Sequence, residues 1–135
     1  MKILLVTRLF PLPENVGRGT FVSDHAELLS SLGHEVQILN VLPRMLRINE
    51  ARRSTMEGVS KAPKKFSHGG FEVTVKRHWE LPDLPSITAF SASRIKSNWK
   101  PDVVICHTLW PAAYAAKNIA NYHSVPWIAI VHGHD

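Results

Sequence analysis

The most concentrated polar ending of any apolar, strand-like stretch in this chain is its last four residues, His132, Gly133, His134 and Asp135, which follow directly on a stretch ending at Val131. Imidazole and carboxylate supply hydrogen-bond donors, acceptors and metal lone pairs, so such a cluster could hold sugar hydroxyls, move protons or bind zinc. A His-x-His-Asp run is a weak metal signature by itself, and no metal ion is expected. A second polar loop, His107, Thr108, Leu109, Trp110 and Pro111, also follows an apolar stretch. There His107 could meet an anion or a hydroxyl, or bond to a neighbouring carbonyl, and Trp110 could stack on a ring or pack in the core. The third loop, RLFPLPENVGRGT, places Gly17, Arg18 and Gly19 ahead of a helical pattern. Glycine lets backbone approach a ligand closely, and the exposed amides of a helix start hold phosphate. The same glycines can equally make turns in a flexible loop.

This loop is not a dinucleotide fingerprint. Gly17 lies ten positions beyond Thr7, Val22 stands where a third glycine would, and the second strand ends near Asn40 without an acid. A phosphate-binding lysine motif is also missing. The remaining histidines, His25, His34, His68, His78 and His123, read as structural or surface groups outside these loops. Cys106 reads as a small buried hydrophobe rather than a nucleophile.

The elements that must position these loops alternate along the chain. KILLVT at Lys2–Thr7 is a near-continuous apolar run of strand length, as expected in a parallel sheet covered on both faces. Thr20 can cap a helix whose stripe is Phe21, Val22, His25, Ala26, Leu29 and Leu32, with Asp24 placed in its first turn and Gly33 as its C′ residue. Residues 36–41 give a second strand ended by Pro43. Beyond the less legible middle, 67–70 reads as a turn, 71–76 as a strand, 86–99 as moderately helical, 103–106 as a short buried strand, 112–122 as an alanine-rich helix and 127–131 as a further buried strand. Right-handed crossovers of these lengths make a doubly wound α/β domain with a parallel sheet the economical solution. Ligands of such sheets bind beyond the carboxyl ends of the strands, where the three polar loops fall.

Composition narrows the class. With 44% hydrophobic and 20% charged residues, 135 residues suit one globular domain with a real core. The apolar runs fall far short of a bilayer span, a cleavable leader pattern is not visible, and the single cysteine suits a reducing compartment, so a cytoplasmic location is expected. The net charge of +5 is concentrated in Arg44, Arg47, Arg52, Arg53, Lys61, Lys64 and Lys65, interleaved with Met45, Leu46, Ile48 and Met56. Such a segment can be a solvated loop or helix, or it can lie on an anionic membrane surface. Without a nucleic-acid-binding module, no nucleic acid partner is expected.

Taken together, KILLVT, the proline-containing loop ending GRGTFV, SLGHEVQIL, PDVVICHT and IAIVHGHD resemble the N-terminal half of family 4 retaining glycosyltransferases of the two-domain GT-B type. The resemblance spans most of the chain and is weak from Arg44 to Trp99. It implies a Rossmann-like, acceptor-side domain at residues 1–135 of a longer enzyme. The donor-binding domain would lie outside this chain, leaving the isolated piece inactive. The implied reaction moves a sugar from a nucleotide-sugar co-substrate to a hydroxyl acceptor with retention. The acceptor would be a saccharide, a lipid-linked saccharide or a small glycoside, and no cofactor or divalent ion would be required. Gly19 matches the loop glycine near the donor phosphates, with Gly17 displaced from its partner position by Arg18. His132 matches the histidine that contacts the transferred sugar, Asp135 the acid after the His-Gly pair, and His107 a polar position facing the acceptor. Arg18 is a further candidate for phosphate or acceptor contact. The competing expectation is a noncatalytic sugar- or nucleotide-binding module.

Overall fold

The computed structural model describes residues 1–44 and 53–132. Strand β1 (Lys2–Thr7) is buried at every position after Lys2, which requires partners on both edges and cover on both faces. It pairs in parallel with β2 (Glu35–Pro43) on one side and β5 (Val103–His107) on the other. The hairpin β3 (Lys65–His68) and β4 (Phe71–His78) extends the β2 edge, and β6 (Trp127–Ile130) extends the β5 edge. The order is β3-β4-β2-β1-β5-β6, parallel throughout except between β3 and β4. The chain leaves β1 in one direction and later crosses back to β5, so the fold is doubly wound and Rossmann-like, with its switch point between β1 and β5.

Among the described residues, three helices cover the sheet: α1 (Thr20–Ser31), α2 (Pro85–Ser93) and α3 (Leu109–His123). Strand alternation divides the core between two faces. Ile3, Leu5, Ile38, Val103 and Ile105 pack with Val22 and Ala26 of α1. Leu4, Val6, Leu39, Val104 and Cys106 pack on the other face against Ala112, Ala115, Ala116, Ile119 and Ala120 of α3. Helix α3 is alanine-rich on this side, so its axis sits close to the sheet. At the base, the Lys2 amide donates to Asp102 Oδ2 at 2.7 Å and the Asp102 amide donates to Lys2 O at 2.7 Å. This exchange fixes the β1–β5 register and brings Thr7 opposite His107.

Several boundaries differ from the sequence expectation. Helix α1 is entered from Gly19, not capped by Thr20, and no side chain caps it; Asp24 falls beyond the first turn. Gly33 does close it. With φ +92°, Gly33 donates to Ser30 O at 3.0 Å and His34 donates to Leu29 O at 3.2 Å, the paired bonds of a Schellman ending. Strand β3 escapes the sequence reading because four residues are too few to display alternation. Helix α2 stops at Ser93, and Ile95 and Trp99 join the core from irregular chain. Helix α3 starts at Leu109, although Trp110 departs from helical geometry (φ −96°, ψ 128°). Strand β6 is an edge strand with Ile128 54% exposed, not the buried strand expected, because it pairs with β5 alone among the described strands. The described part of the basic segment holds a short 3-10 turn at Ser54–Met56, and residues 45–52, on which the expected basic helix falls, lie outside the described residues. Among the described residues no helix is long and apolar enough to cross a membrane.

The close seating of α3 is testable. Ala116 is fully buried against the sheet, so Ala116→Leu should lower the unfolding free energy by about 1–3 kcal/mol through overpacking. Urea titration checks this, and an unchanged midpoint would show that the helix can move away.

Candidate functional site

The crevice forms where β1, β5 and β6 end. The chain leaving β1 does not rise into solvent, because its carbonyls are captured one after another. Asn40, fully buried on β2, donates from Nδ2 to Thr7 O at 2.9 Å and Arg8 O at 3.0 Å. Thr7 Oγ1 donates to Leu9 O at 2.9 Å and accepts from the Leu9 amide at 3.1 Å. The Arg8 amide reaches across the switch point to Thr108 Oγ1 at 3.2 Å. Thr108 holds φ +60°, a left-handed geometry rare for a β-branched residue, which costs on the order of 1–3 kcal/mol.

Arg18 completes the turn. Its side chain is inside the protein, with Nη1 donating to Phe10 O at 3.0 Å, Nη2 to Arg8 O at 2.8 Å and Nε to Thr55 O at 2.5 Å. Burial, followed by repulsion from Arg8, lowers its pKa to about 10, leaving it charged at neutral pH. These bonds direct the guanidinium at backbone, so the structure gives Arg18 the work of folding the loop. The next residue, Gly19, has φ +62°, and a Cβ there would lie 2.6 Å from Leu9 C and 2.7 Å from Phe10 N. Only glycine fits this contact. Gly17 is different: a Cβ there would meet nothing within 4 Å.

With α1 started at this point, Phe21 and His25, one helical turn apart, both face the strand ends. His25 Nδ1 lies 2.7 Å from His107 Nε2, and His107 Nδ1 lies 2.8 Å from His132 Nε2. Phe21 meets the His132 ring edge-on at 4.7 Å between centroids. His107 is 3% exposed. The imidazoles are strung in a row, nitrogen to nitrogen, instead of converging on one point. Trp110, 41% exposed, stands beside Tyr114 with ring centroids 5.7 Å apart. Asp135 lies outside the described residues.

Arg8 forms a two-pronged pair with Glu80, Nη2 to Oε2 at 2.8 Å together with Nη1 to Oε1. Burial raises the Glu80 pKa, but buried His78, 3.6 Å away, and Arg8 together outweigh it and leave the carboxyl below its ordinary value. Of the basic candidates, Arg44, Lys64 and Lys65 line a groove of about 780 Å³ between β4 and α2, shared with Lys76, Arg77 and Arg94 and bordered by Trp79 and Phe90. Arg53 and Lys61 are exposed away from its lining. Arg47 and Arg52 lie outside the described residues.

A model of glycosyltransferase family 4 matches residues 17–135, from the loop glycines through the final polar run. The chain belongs to glycosyltransferase family 4. No curated protein and no solved structure matches it. Family membership supports a glycosyltransferase-type function, and the geometry shows which residues surround the crevice of this family member. Sequence reasoning leaves His25 outside the polar loops; the structure brings it to them. The available signal is its spacing of four from Phe21, once α1 is known to start at the strand ends. Glu80 and Asn40 carry no local signal, because their partners are 72 and 32–33 positions away.

Two outcomes follow from this geometry. Gly19→Ala should destabilise the chain by about 2–4 kcal/mol, since it adds a left-handed penalty to a backbone clash, whereas Gly17→Ala should stay within about 0.5 kcal/mol; paired denaturant titrations compare them. Because the folded Glu80 pKa is depressed, its contribution is present above the unfolded value of 4.5 and is lost as pH falls through the lower folded value. The melting-temperature advantage of wild type over Glu80→Gln should therefore be present at pH 7 and shrink below 4.5. An advantage independent of pH would contradict the ion-pair account.

Proposed function

We propose that this chain is the acceptor-side domain of a two-domain enzyme of GT-B type that transfers a sugar from a nucleotide-sugar to a hydroxyl acceptor with retention of configuration. The observation that carries the reading is the convergence, in a family 4 chain, of the glycine-entered α1 with the His107–His132 row at one switch point. The uncapped amides at the start of α1 suit the donor phosphates. His132 would hydrogen-bond the transferred sugar, with Asp135 close after it in sequence. Trp110 would offer a stacking surface to a saccharide acceptor. Gly17 would flank the phosphate site, while Arg18 would serve it indirectly by shaping the loop.

In this reading the donor phosphates receive the rest of their contacts from a second domain. Retention places the acceptor hydroxyl on the same face of the sugar as the departing phosphate. A leaving oxygen can then take the hydroxyl proton as the new bond forms. Stabilising the charge that develops on that phosphate would matter more than a lone histidine, and the family resemblance implies that no divalent ion is required. Residues 1–135 alone would lack half of the donor shell and should not turn over.

The cationic groove between β4 and α2 supports docking on an anionic membrane face, because its charges are flanked by exposed Trp79 and Phe90. That placement would suit a lipid-linked acceptor and the cytoplasmic side of a membrane. Neutralising Lys64, Lys65, Lys76 and Arg94 to Gln should reduce cosedimentation with anionic vesicles at low salt at least several-fold. Equal cosedimentation of the variant would remove this part of the proposal.

The transfer reading is tested in the longer enzyme carrying this domain. His132→Ala should lower transfer by roughly tenfold to a few hundredfold, equivalent to about 1.5–3 kcal/mol, with little change in melting temperature. Normal kinetics would reject the sugar contact. Tight nucleotide-sugar binding without turnover across a broad acceptor screen would favour a noncatalytic binding module.

A further inference from the structure

Helix α3 packs over β1 and β5, and beyond it the same face of the sheet opens over β2 and β4. There a second hollow, of about 390 Å³, adjoins the cationic groove, and Lys65, Thr74, Lys76 and Lys96 line both, so the two form one trough. Glu72, Thr74 and Lys76 share this face by strand alternation, while Phe71, Val73 and Val75 of the same strand point into the core. At about 3.3 Å per residue, the positions from Glu72 to Trp79 make the trough roughly 20 Å long. One end lies beside the crevice: Trp79 precedes Glu80, whose carboxylate holds Arg8 at the end of β1. The other end is lined by buried Leu4 and Leu39 together with Gln37, Asn98 and half-buried Trp99. His123 Nε2 on α3 donates to Ser97 O at 2.8 Å, which ties that wall to the helix.

Three kinds of group meet in this trough. Lys65, Lys76 and Lys96 supply charge, and among the described residues Glu72 is the only acid in either lining. Gln37, Thr74 and Asn98 supply amides and a hydroxyl that both donate and accept. Trp79 and Trp99 bring indole rings to opposite ends, with the Arg44 guanidinium 5.7 Å over the Trp79 ring. Neutral donor-acceptors and indole rings suit the hydroxyls and C–H faces of sugars, and a line of lysines suits acid groups spaced along a polymer. A bilayer face is broad and flat, so it meets the exposed rim at Phe90 and Arg94; a floor that descends to Leu4 and Leu39 is reached by an extended molecule instead.

We propose that the trough is a second saccharide site, separate from the crevice at the switch point, and that it binds an acidic glycan through carboxylate or phosphate groups along its length. That this glycan is the continuation of the acceptor rests on the proposed transfer function; its binding in the trough does not. The trough then selects acceptors by charge, at a distance from the reacting hydroxyl.

Amide NMR titration of the 135-residue protein with oligogalacturonate, phosphorylated malto-oligosaccharide and neutral malto-oligosaccharide of equal length tests the site. At least one acidic oligomer should bind and shift the amides of Gln37, Thr74, Lys76 and Asn98, the tighter of the two naming the acid group, while the neutral oligomer binds at least about tenfold more weakly. Lys76→Gln combined with Lys96→Gln should weaken the acidic oligomer by about tenfold or more. Asn98→Ala should weaken it several-fold and spare binding to phosphatidylglycerol vesicles, whereas Phe90→Ser should do the reverse. In the longer enzyme Lys96→Gln should raise the KM of an acidic acceptor several-fold with a smaller change in kcat. Failure of both acidic oligomers to bind, or shifts at Gly19 and His107 in place of the trough, would overturn the proposal. So would equal affinity for the neutral oligomer, or equal affinity for inorganic polyphosphate or single-stranded RNA of matched charge. Loss of oligomer and vesicle binding together in either single variant would show one membrane-facing surface and overturn it as well. Trough binding without any transfer by the longer enzyme would overturn the transfer reading and leave the site standing.

Discussion

A buried guanidinium must find acceptors or cost several kcal/mol, and Arg18 finds them only if the chain after β1 folds back over itself. The carbonyls of Arg8, Phe10 and Thr55 converge on it. That convergence presses Gly19 against the backbone at Leu9 and Phe10, where no side chain fits. Helix α1 therefore begins at a fixed place and in a fixed rotation. Its buried stripe of Val22 and Ala26 meets the sheet, and the adjoining face carries Phe21 and His25 to the strand ends.

The sheet supplies the complementary half. Parallel pairing from the Asp102–Lys2 exchange upward sets Thr7 beside His107, and alternation along β5 sends His107 to the α1 side together with Val103 and Ile105. Asn40 and Thr108 then tie the loop to strands on either side of β1. Polar groups crowd the carboxyl ends because the reversal of strand order leaves a gap there that neither helical layer fills. Arg8 and Glu80 brace this end from the β4 side.

Much of the architecture is legible in the sequence. Continuous apolar strands, a glycine helix ending at Gly33 and alanine-rich packing in α3 are local signals, and each appears where its physics requires. The crevice is legible only in outline. His107 and His132 stand out because they end apolar runs, but His25 looks like part of a helix stripe until α1 has a position relative to the sheet. Arg18 looks like a ligand contact because a cation between glycines has that appearance in sequence; its backbone acceptors lie on chain segments that sequence alone does not bring together. The edge character of β6 is lost for the same reason, since pairing partners decide it, whereas β3 is too short to display alternation.

The dependence of the crevice on Arg18 can be measured by amide hydrogen exchange. The amides of Arg8, Leu9, Leu12, Asn15 and Arg18 are all hydrogen-bonded within the loop or across the switch point, so they should be protected in the wild-type chain. Arg18→Lys keeps the charge but removes the planar fork, and it should speed exchange at these amides at least about tenfold, equivalent to ~1.4 kcal/mol, while the strand amides of β5 keep their protection. Solvent-rate exchange of the wild-type loop, or identical loop protection in Arg18→Lys, would contradict the account.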